Sequence, residues 1–371
     1  MIACENLFEI FKKNDLVYFS GVPDSTFKQW MSYLAANSDM LTNRIASNEG
    51  AAVAHAAGYY LATNKIGVVY LQNSGIGNCI NPLTSLADPE VFSIPMILMT
   101  GWRGEPGKKD EPQHKKMGRI MLPLLKKLEI YYEILEEDKI KYQIEKVKNK
   151  AVCESMPVAL IVRNELLEEY DSGIRVKSDL PLTKDQAIRA IIDSFNGNEI
   201  IVATTGKTSR ELFEYREECG TGHSNDFYTV GSMGHCSSIA LEIAKQKPEK
   251  KIYVFDGDGS VIMHMGTLAT IGFYAPNNLI HIVFDNNAYE STGGQPTVSD
   301  KIDIASIALG CGYSESITCL TVADILTTLK KIKKCPTIIV IKIKKGSREN
   351  LIRPTITPEE NKRIFIDKLR N

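Results

Sequence analysis

The stretch VFDGDGSVI, residues 254–262, joins apolar residues to two acids and two glycines. The run Ile252–Phe255 predicts a buried strand, because short runs rich in Val, Ile and aromatic residues are typical of strands. This strand is followed by Asp256-Gly257-Asp258-Gly259, which places a carboxylate on bare backbone where a strand should end. Ligands of parallel sheets bind beyond the carboxyl ends of the strands, so these acids are candidates for a functional site.

The same alternation of apolar runs and helical stretches continues along the chain. Apolar runs begin near residues 16, 43, 66, 94, 129 and 157 in the first half, and near 199, 227, 251, 279, 310 and 336 in the second. Stretches of helical period separate them, such as 49–63, 138–152 and about 261–273. Alternating βα units make parallel sheets covered by helices. We therefore predict an α/β protein with two similar modules, each a doubly wound six-stranded parallel sheet with helices on both faces, and no middle domain.

A polar segment after the sixth apolar run separates the two predicted modules. We expect the first module over residues 1–168, the second over 183–371, and a linker at 169–182. The tail adds one more helix, for which Thr357 is the expected N-cap and Pro358 the first helical residue. Each module is long enough to bury its own core.

Composition and charge give no sign of an unusual partner. The 371 residues are 43% hydrophobic and 24% charged with a formal net charge of -1, so neither nucleic acid nor a membrane is an expected partner. The eight cysteines form no C-x-x-C pair and lack zinc-finger spacing, and we expect them to be reduced thiols. No window approaches the roughly 20 apolar residues that span a bilayer, and the first residues do not resemble a secretion signal. These features indicate a cytoplasmic protein.

A second polar cluster, Asp285-Asn286-Asn287-Ala288-Tyr289, follows the predicted strand LIHIVF. If this strand lies beside 252–255, the two clusters meet at one sheet edge. Carboxylate, amide and carbonyl oxygens suit Mg²⁺, which commonly shares its coordination with phosphates. Gly257 and Gly259 would let backbone approach a phosphate, and a helix expected to begin near Ser260 would point free N–H groups there. The alternative is that both clusters are surface turns, in which Gly, Asn and Asp are common.

Together the G-D-G and N-N stretches resemble the signature of thiamine-diphosphate enzymes. The resemblance implies thiamine diphosphate and Mg²⁺ as cofactors, with Asp258, Asn286 and the backbone oxygen of Ala288 as metal ligands. Tyr289 keeps the family's place three residues after Asn286, although this chain has Asp285 where the family usually has Asn. The first module would be the pyrimidine-binding (PYR) domain and the second the diphosphate-binding (PP) domain.

Two further stretches of the second module fit this resemblance. In GSMG at residues 231–234, Met233 occupies the place of the apolar wedge that bends the cofactor, and the Gly231 carbonyl would accept from its amine. The alternative for Met233 is ordinary core packing. TTGKTSREL lacks the glycine that an ATP phosphate loop requires, since Ile201 stands there. Thr205 and Gly206 nevertheless follow a predicted strand and are candidates for contact with the diphosphate.

The first module supplies the candidate catalytic acid. Glu49 begins a helix of mostly small residues and could simply favour the helix dipole. The segment also resembles the family's E-x-A-A-x-x-x-A-x-G-Y pattern, which implies that Glu49 bonds N1' of the aminopyrimidine and activates the cofactor. In the family this glutamate and the diphosphate site come from different subunits, so the resemblance implies a homodimer at minimum, or a larger homo-oligomer.

Two segments of the first module are candidates for substrate recognition. GVPDSTF places Asp24 and Ser25 just beyond the first strand, and GWRGEPGKKDEPQHKKMGR at 101–119 is predicted to be a long loop after the fourth. The loop has an excess of positive charge: Arg103, Lys108, Lys109, Lys115, Lys116 and Arg119 against Glu105, Asp110 and Glu111. This charge fits a lid that closes over a multiply charged anion. The alternative is a solvated loop.

The pairing of G-V-P-D-S with R-G-E-P-G-x-K-D-E-P-Q-H narrows the resemblance to family members that decarboxylate a small anionic 2-oxo acid. It implies 3-phosphonopyruvate as substrate in phosphonate biosynthesis, with sulfopyruvate or pyruvate as alternatives. Asp24 and His114 are candidates for proton transfer, and Arg103, Lys109, Ser25 and His114 for substrate contacts. A hypothesis from another class is a non-catalytic α/β protein that binds a nucleotide or phosphate.

Overall fold

The computed structural model describes residues 1–173, 180–348 and 350–370, except for the side chain of Ser291. The chain divides into two compact units, Met1–Arg175 and Val176–Asn371. The linker predicted at 169–182 includes residues 174–179, which lie outside the described residues. Within the described ranges, every helix is too short or too polar to cross a bilayer.

The first unit is built on one six-stranded parallel sheet. Its strands are β1 (Tyr18–Gly21), β2 (Thr42–Ile45), β3 (Val68–Gln72), β4 (Met96–Gly101), β5 (Tyr131–Ile134) and β6 (Pro157–Val162), in the order β2-β1-β3-β4-β6-β5. Its helices are α1 (Cys4–Lys13), α2 (Lys28–Ala36), α3 (Glu49–Thr63), α4 (Ile76–Pro82), α5 (Pro112–Lys127) and α6 (Ile140–Glu154).

The second unit repeats this plan. Its main sheet contains β7 (Ile200–Ala203), β8 (Asp226–Tyr228), β9 (Ile252–Gly257), β10 (Leu279–Asp285), β13 (Glu315–Cys319) and β14 (Thr337–Lys342), all parallel, and a short antiparallel pair is formed by β11 (Ala288–Tyr289) and β12 (Gln295–Pro296). Its helices are α7 (Lys184–Asp193), α8 (Lys207–Cys219), α9 (Cys236–Gln246), α10 (Asp258–Met263), α11 (Gly266–Tyr274), α12 (Ile304–Gly310), α13 (Val322–Lys331) and α14 (Pro358–Arg370).

The strand order shows that the two units are copies of one plan. The main sheet of the second unit runs β8-β7-β9-β10-β14-β13, which is the order of the first sheet strand for strand. Central strands such as β4 and β10 are buried along their whole length, because helices cover both faces of each sheet. Each sheet accordingly has two clusters of buried apolar residues, one on each face. The predicted fold class is confirmed.

Most predicted elements lie within a few residues of the observed ones, and three differ. The apolar run near 310 belongs to the end of α12, and the strand begins later, at Glu315. The helix predicted over 261–273 is two helices, because His264 leaves the helical conformation with φ -132° and ψ 49°. The loop predicted at 101–119 is wrong in its second half, where Pro112 begins α5. The tail helix begins as predicted, with Thr357 Oγ1 accepting from the Glu360 N–H at 3.1 Å.

Candidate active site

The two polar clusters of the second unit meet at one edge of its sheet. Strands β9 and β10 pair directly, with Gly257 opposite Phe284. Asp258 is the first residue of α10, two residues earlier than the predicted helix start, and Asn286 follows β10. Both side chains are buried, at 3% and 5% exposure. The sequence predicted that the two clusters would meet if these strands lay side by side, and the strands do lie side by side.

The two acids of the D-G-D-G stretch have different surroundings. Asp256 lies in β9 and contacts His281 Nε2 at 3.3 Å, inside the sheet. Asp258 lies beyond the strand and accepts hydrogen bonds from the hydroxyls of Thr297 and Ser299. Burial, together with the nearby Asp285 carboxylate, raises the pKa of Asp258 to about 6. Asp258 is thus the acid whose charge a bound cation would stabilise.

Asp285, the other carboxylate at this edge, already has a cationic partner. Its Oδ2 pairs with Lys342 Nζ, and its Oδ1 lies 2.8 Å from Ser299 Oγ. Among the described residues Asp258 forms no ion pair, and it is held by hydroxyl donors instead. The edge therefore keeps one buried negative charge that the described side chains leave uncompensated.

Asn286 presents an amide whose two ends are held separately. Its Oδ1 accepts from the Ala288 N–H at 3.0 Å, and its Nδ2 donates to Glu290 Oε2 at 2.5 Å. Ala288 is buried and begins β11. A buried carboxylate, an amide oxygen and a backbone carbonyl are hard oxygen donors, and this set fits Mg²⁺ better than a softer metal.

Glycine at 259 allows a close contact above Asp258. A Cβ there would lie 2.7 Å from Tyr289 Cε1 and 3.5 Å from Met233 Cε, so the Tyr289 and Met233 side chains converge on bare backbone. The GSMG stretch is fixed to α10 because the Gly234 N–H donates to Ser260 Oγ at 3.1 Å. Gly231 and Met233 are half-buried. Met233 therefore lies near Gly259 at the carboxyl edge of this sheet.

The turn after β7 approaches the same place. Thr204 Oγ1 lies 3.0 Å from Ser260 Oγ, which links this turn to α10. Gly206 follows with φ 93° and ψ -139°, a conformation that side chains with a Cβ rarely adopt. A Cβ on Gly206 or Gly257 would meet no atom closer than 4.0 Å, so space remains beside both residues. Thr205 is half-buried between Thr204 and Gly206.

In the first unit, Glu49 is held at the start of α3. Asn48 caps the helix by accepting from the Ala51 N–H at 2.9 Å, and Glu49 is buried at 6% exposure. Asn78 Nδ2 donates to Glu49 Oε2 at 2.7 Å. A Cβ on Gly75 would lie 2.4 Å from Glu49 Oε1, so the glycine makes room for the carboxylate. This buried carboxylate has a fixed direction, which a residue serving only the helix dipole does not need.

Asp24 is fully buried at the carboxyl ends of β1 and β4. Its Oδ1 accepts from Gln72 Nε2 at 2.9 Å and from the Thr26 N–H at 3.2 Å, whereas its Oδ2 has no hydrogen-bond partner among the described residues. A Cβ on Gly101 would lie only 1.9 Å from that Oδ2. Burial raises the pKa of Asp24, so the protonated form is favoured. Such a carboxyl holds its proton to a higher pH than an exposed one does.

Arg103 is committed to contacts within its own unit. Its Nε and Nη2 donate to Asp110 at 2.9 and 2.6 Å, and its Nη1 donates to Ser25 Oγ at 2.9 Å. A bidentate grip on a substrate phosphonate would therefore require Arg103 to release Asp110. Lys109 is exposed. His114 lies in the first turn of α5, where burial and the nearby Arg103 lower its pKa and favour the neutral imidazole.

Two models of known protein domains match this chain. Residues 1–121 match the N-terminal TPP binding domain of thiamine pyrophosphate enzymes, and residues 204–343 match the C-terminal TPP binding domain. The chain belongs to the thiamine pyrophosphate enzyme family. The first match contains Asp24, Glu49 and Arg103, and the second contains Asp258 and Asn286.

The relatives of this thiamine pyrophosphate enzyme are decarboxylases. It is 35% identical over 338 residues to phosphonopyruvate decarboxylase of Streptomyces viridochromogenes, covering 86% of this chain and 83% of that protein. Identity to phosphonopyruvate decarboxylase of Streptomyces hygroscopicus is 34%, covering 86% and 82%. Sulfopyruvate decarboxylase of Methanosarcina acetivorans is 28% identical over 98% of this chain and 97% of its own length. The chain is therefore an enzyme, a carboxy-lyase that uses thiamine diphosphate.

Several contacts of this thiamine pyrophosphate enzyme were not predicted from sequence. Thr297 and Ser299 reach Asp258 from a segment that returns to the sheet edge after β12. Glu290 holds Asn286, and Asn78 holds Glu49. Thr297 and Ser299 lie far in sequence from Asp258, and Glu290 and Asn78 belong to no motif of their own. Only the G-G pair at 293–294, a turn signal between Asn286 and Thr297, pointed to a returning segment.

Proposed function

We propose that this enzyme catalyses the Mg²⁺-dependent decarboxylation of 3-phosphonopyruvate to phosphonoacetaldehyde and CO₂, a step of phosphonate biosynthesis. The observation that carries the substrate is the 35% identity to a phosphonopyruvate decarboxylase over 338 residues. It is supported by the cationic segment 103–119, which suits a substrate with two anionic groups.

In this proposal Asp258, Asn286 and the Ala288 carbonyl hold Mg²⁺. The donor set and the uncompensated charge of Asp258 support this assignment. The diphosphate would lie beside Thr205, Gly206, Gly257, Gly259 and Ser260. A Cβ on Gly206 or Gly257 would meet no atom closer than 4.0 Å, so there is space beside these two glycines. When bound, thiamine diphosphate supplies the electron sink that decarboxylation of a 2-oxo acid needs. The protein supplies binding, orientation and proton control.

The remaining cofactor contacts are assigned to both units. Met233 would support the bent cofactor, the Gly231 carbonyl would accept from its amine, and Tyr289 would pack beside it over Gly259. Glu49 would bond the aminopyrimidine N1' through its buried carboxylate, which Asn78 orients. The first unit would then be the PYR domain, over 1–168, and the second the PP domain, over 183–371. We propose that the enzyme works as a homodimer or a larger homo-oligomer.

Asp24, Ser25 and His114 form the substrate end of the proposed site. Burial raises the pKa of Asp24 and so favours its protonated form, and burial lowers the pKa of His114 and so favours the neutral imidazole. A protonated carboxyl can donate a proton and a neutral imidazole can accept one, which are the roles proposed for them. Lys109 and Arg103 would bind the phosphonate, with Ser25 positioning the Arg103 guanidinium as it does in the structure.

The test is a decarboxylation assay on enzyme stripped with a chelator and then given Mg²⁺ and thiamine diphosphate. We expect CO₂ release from 3-phosphonopyruvate to exceed that from sulfopyruvate and from pyruvate. Sulfopyruvate is the second candidate, because the M. acetivorans relative matches along 98% of this chain. Faster turnover of sulfopyruvate would replace the proposed substrate. Absence of CO₂ from all three acids, with no rise in melting temperature on adding both cofactors, would favour a non-catalytic phosphate-binding protein.

A further inference from the structure

Glu290 occupies a position between three segments of the second unit. Its Oε2 accepts from Asn286 Nδ2 at 2.5 Å, and both carboxylate oxygens accept from the Gly346 N–H, at 3.1 and 3.2 Å. Lys207 Nζ lies 3.8 Å from Oε1. The Glu290 side chain is 17% exposed, and its contact with Asn286 is partly buried. One carboxylate therefore contacts the strand end at Asn286, the start of α8 and the segment after β14.

The contact with Asn286 determines which end of that amide faces the sheet edge. A carboxylate only accepts hydrogen bonds, so the amide end facing Glu290 must be the NH₂ group. The other end, Oδ1, accepts from the Ala288 N–H at 3.0 Å and so lies beside the residue whose carbonyl is the third proposed ligand. The Ala288 N–H only donates and so selects the same orientation, and without Glu290 that one backbone contact would be left to keep the amide nitrogen from turning toward the cation.

We propose that Glu290 is a positioning residue that holds the Asn286 oxygen toward the divalent cation. This inference rests on the proposed function, because it takes Asn286 as a metal ligand. Partners of metal ligands commonly fix ligand orientation, and their loss typically weakens metal affinity by about 10–100-fold. Glu290 would act through Asn286 and not by contact with substrate.

Glu290 also contacts Lys207 and Gly346, which lie in two other segments of the unit. Lys207 directly follows Gly206, beside the space assigned to the diphosphate, and its ammonium group is within 3.8 Å of Glu290. The Gly346 contact ties Glu290 to a segment that Arg348 fixes to Glu214. The carboxylate that orients Asn286 therefore also connects the turn before α8 to a firmly held part of the unit.

The test compares Glu290→Gln with the wild-type full-length enzyme. Gln keeps the size of Glu and still offers an oxygen to the Gly346 N–H, but its amide can also donate, so it no longer selects one orientation of Asn286. We expect the dissociation constant of Mn²⁺, followed by electron paramagnetic resonance with thiamine diphosphate present, to rise about 10–100-fold. The melting temperature without metal should stay within about 2 °C of wild type, since the backbone contact is retained. Unchanged Mn²⁺ affinity would overturn the proposal.

A matched control is Glu249→Gln, which makes the same change on an exposed loop before β9. It should leave both the Mn²⁺ affinity and the melting temperature unchanged. An equal loss of affinity in this control would also overturn the proposal, because a change in overall charge would then explain the effect. If Glu290→Gln does not fold, Glu290→Asp replaces it: the shorter carboxylate cannot span the same distance and should weaken Mn²⁺ binding in the same direction.

A variant of the proposed ligand provides a second measurement. Asn286→Ala separates this inference from the proposed function: wild-type Mn²⁺ affinity in Asn286→Ala would overturn the ligand assignment itself. Weak binding in that variant, with normal binding in Glu290→Gln, would overturn only the role of Glu290.

Discussion

The two units share one strand order but carry different chemistry at the carboxyl edge of their sheets. In the second unit the edge combines Asp258 with neutral oxygen donors, and its second acid, Asp285, is paired with Lys342. In the first unit the corresponding edge carries Asp24, whose burial raises its pKa, next to an Arg103–Asp110 pair. The same topology therefore carries a buried carboxylate held by hydroxyls at one edge, and a buried carboxyl beside an arginine–carboxylate pair at the other.

This difference shows that the sheet determines only where ligands gather. The loops after the strands decide which ligand is favoured, as the turn after β9 in the second unit and the loop after β4 in the first illustrate. The first turn supplies a carboxylate with hydroxyl partners, and the second an arginine already bound to a carboxylate. Four substitutions test this difference between the two units. The largest effect is expected at the carboxyl edge of the second sheet that contains Asp258 and Asn286, here called the cation edge.

Asp258→Ala should abolish cofactor binding. The variant loses the one buried charge at this edge that the described side chains leave unpaired. We expect the affinity for Mg²⁺ with thiamine diphosphate to fall by more than about a hundredfold, which exceeds the usual effect of losing a residue that only orients a metal ligand. Titration calorimetry measures it. Asp367→Ala, on an exposed position of α14, is the control and should bind as wild type. Normal binding in Asp258→Ala would remove the contrast between the two edges.

Glu49→Gln should separate binding from turnover. The amide fills the same space beside Gly75 but cannot stabilise a proton on the cofactor as a carboxylate does, so decarboxylation should fall by about a hundredfold or more. The rise in melting temperature on adding Mg²⁺ and thiamine diphosphate should persist. Both rates and melting curves are needed, and full turnover would show that Glu49 only begins a helix.

Asp24→Asn tests whether the first edge holds a proton. If Asp24 transfers protons, activity should fall by about a hundredfold. Stability should change with a defined sign. Because burial raises the pKa of Asp24, the folded wild-type protein binds this proton to higher pH than the unfolded chain, and its stability falls as pH rises above the ordinary value of about 4. Urea unfolding across pH should show a smaller fall for Asp24→Asn, and an identical pH profile would argue that Asp24 ionises normally.

Gly101→Ala should have the smallest effect, and it acts on packing. A Cβ there would lie 1.9 Å from Asp24 Oδ2, so the methyl group must displace a buried carboxyl, at a cost of about 1–3 kcal/mol in unfolding free energy. Gly310→Ala, at the end of α12, meets no atom within 4 Å and should cost less than about 1 kcal/mol. Equal stability of the two variants, measured by denaturant unfolding, would mean that the loop after β1 yields easily.

The sequence was sufficient to predict the strands and the two acids, and insufficient for their partners. Buried parallel strands leave continuous apolar runs, and Asp258 and Asn286 follow two of them directly, so their meeting depends only on strand pairing. Ser299 and Glu290 reach the same edge through a returning segment, whose path is decided by packing and not by local pattern. The pairing of Arg103 with Asp110 could not be predicted for the same reason, since the six loop residues between them can close in many ways.

Ser299 lies among the oxygen atoms of the cation edge, and its side chain has a single hydroxyl hydrogen. Its Oγ is 2.8–2.9 Å from oxygens of Asp258, Asp285, Asn287 and Thr297. One hydrogen cannot serve three acidic or amide acceptors at once, and the Thr297 hydroxyl already points to Asp258. Oxygen atoms here outnumber the hydrogens available to bridge them. A divalent ion would bind several of these oxygens at once. We therefore expect metal binding to hold residues 286–299 more firmly, so that this segment resists proteolysis better when Mg²⁺ is present.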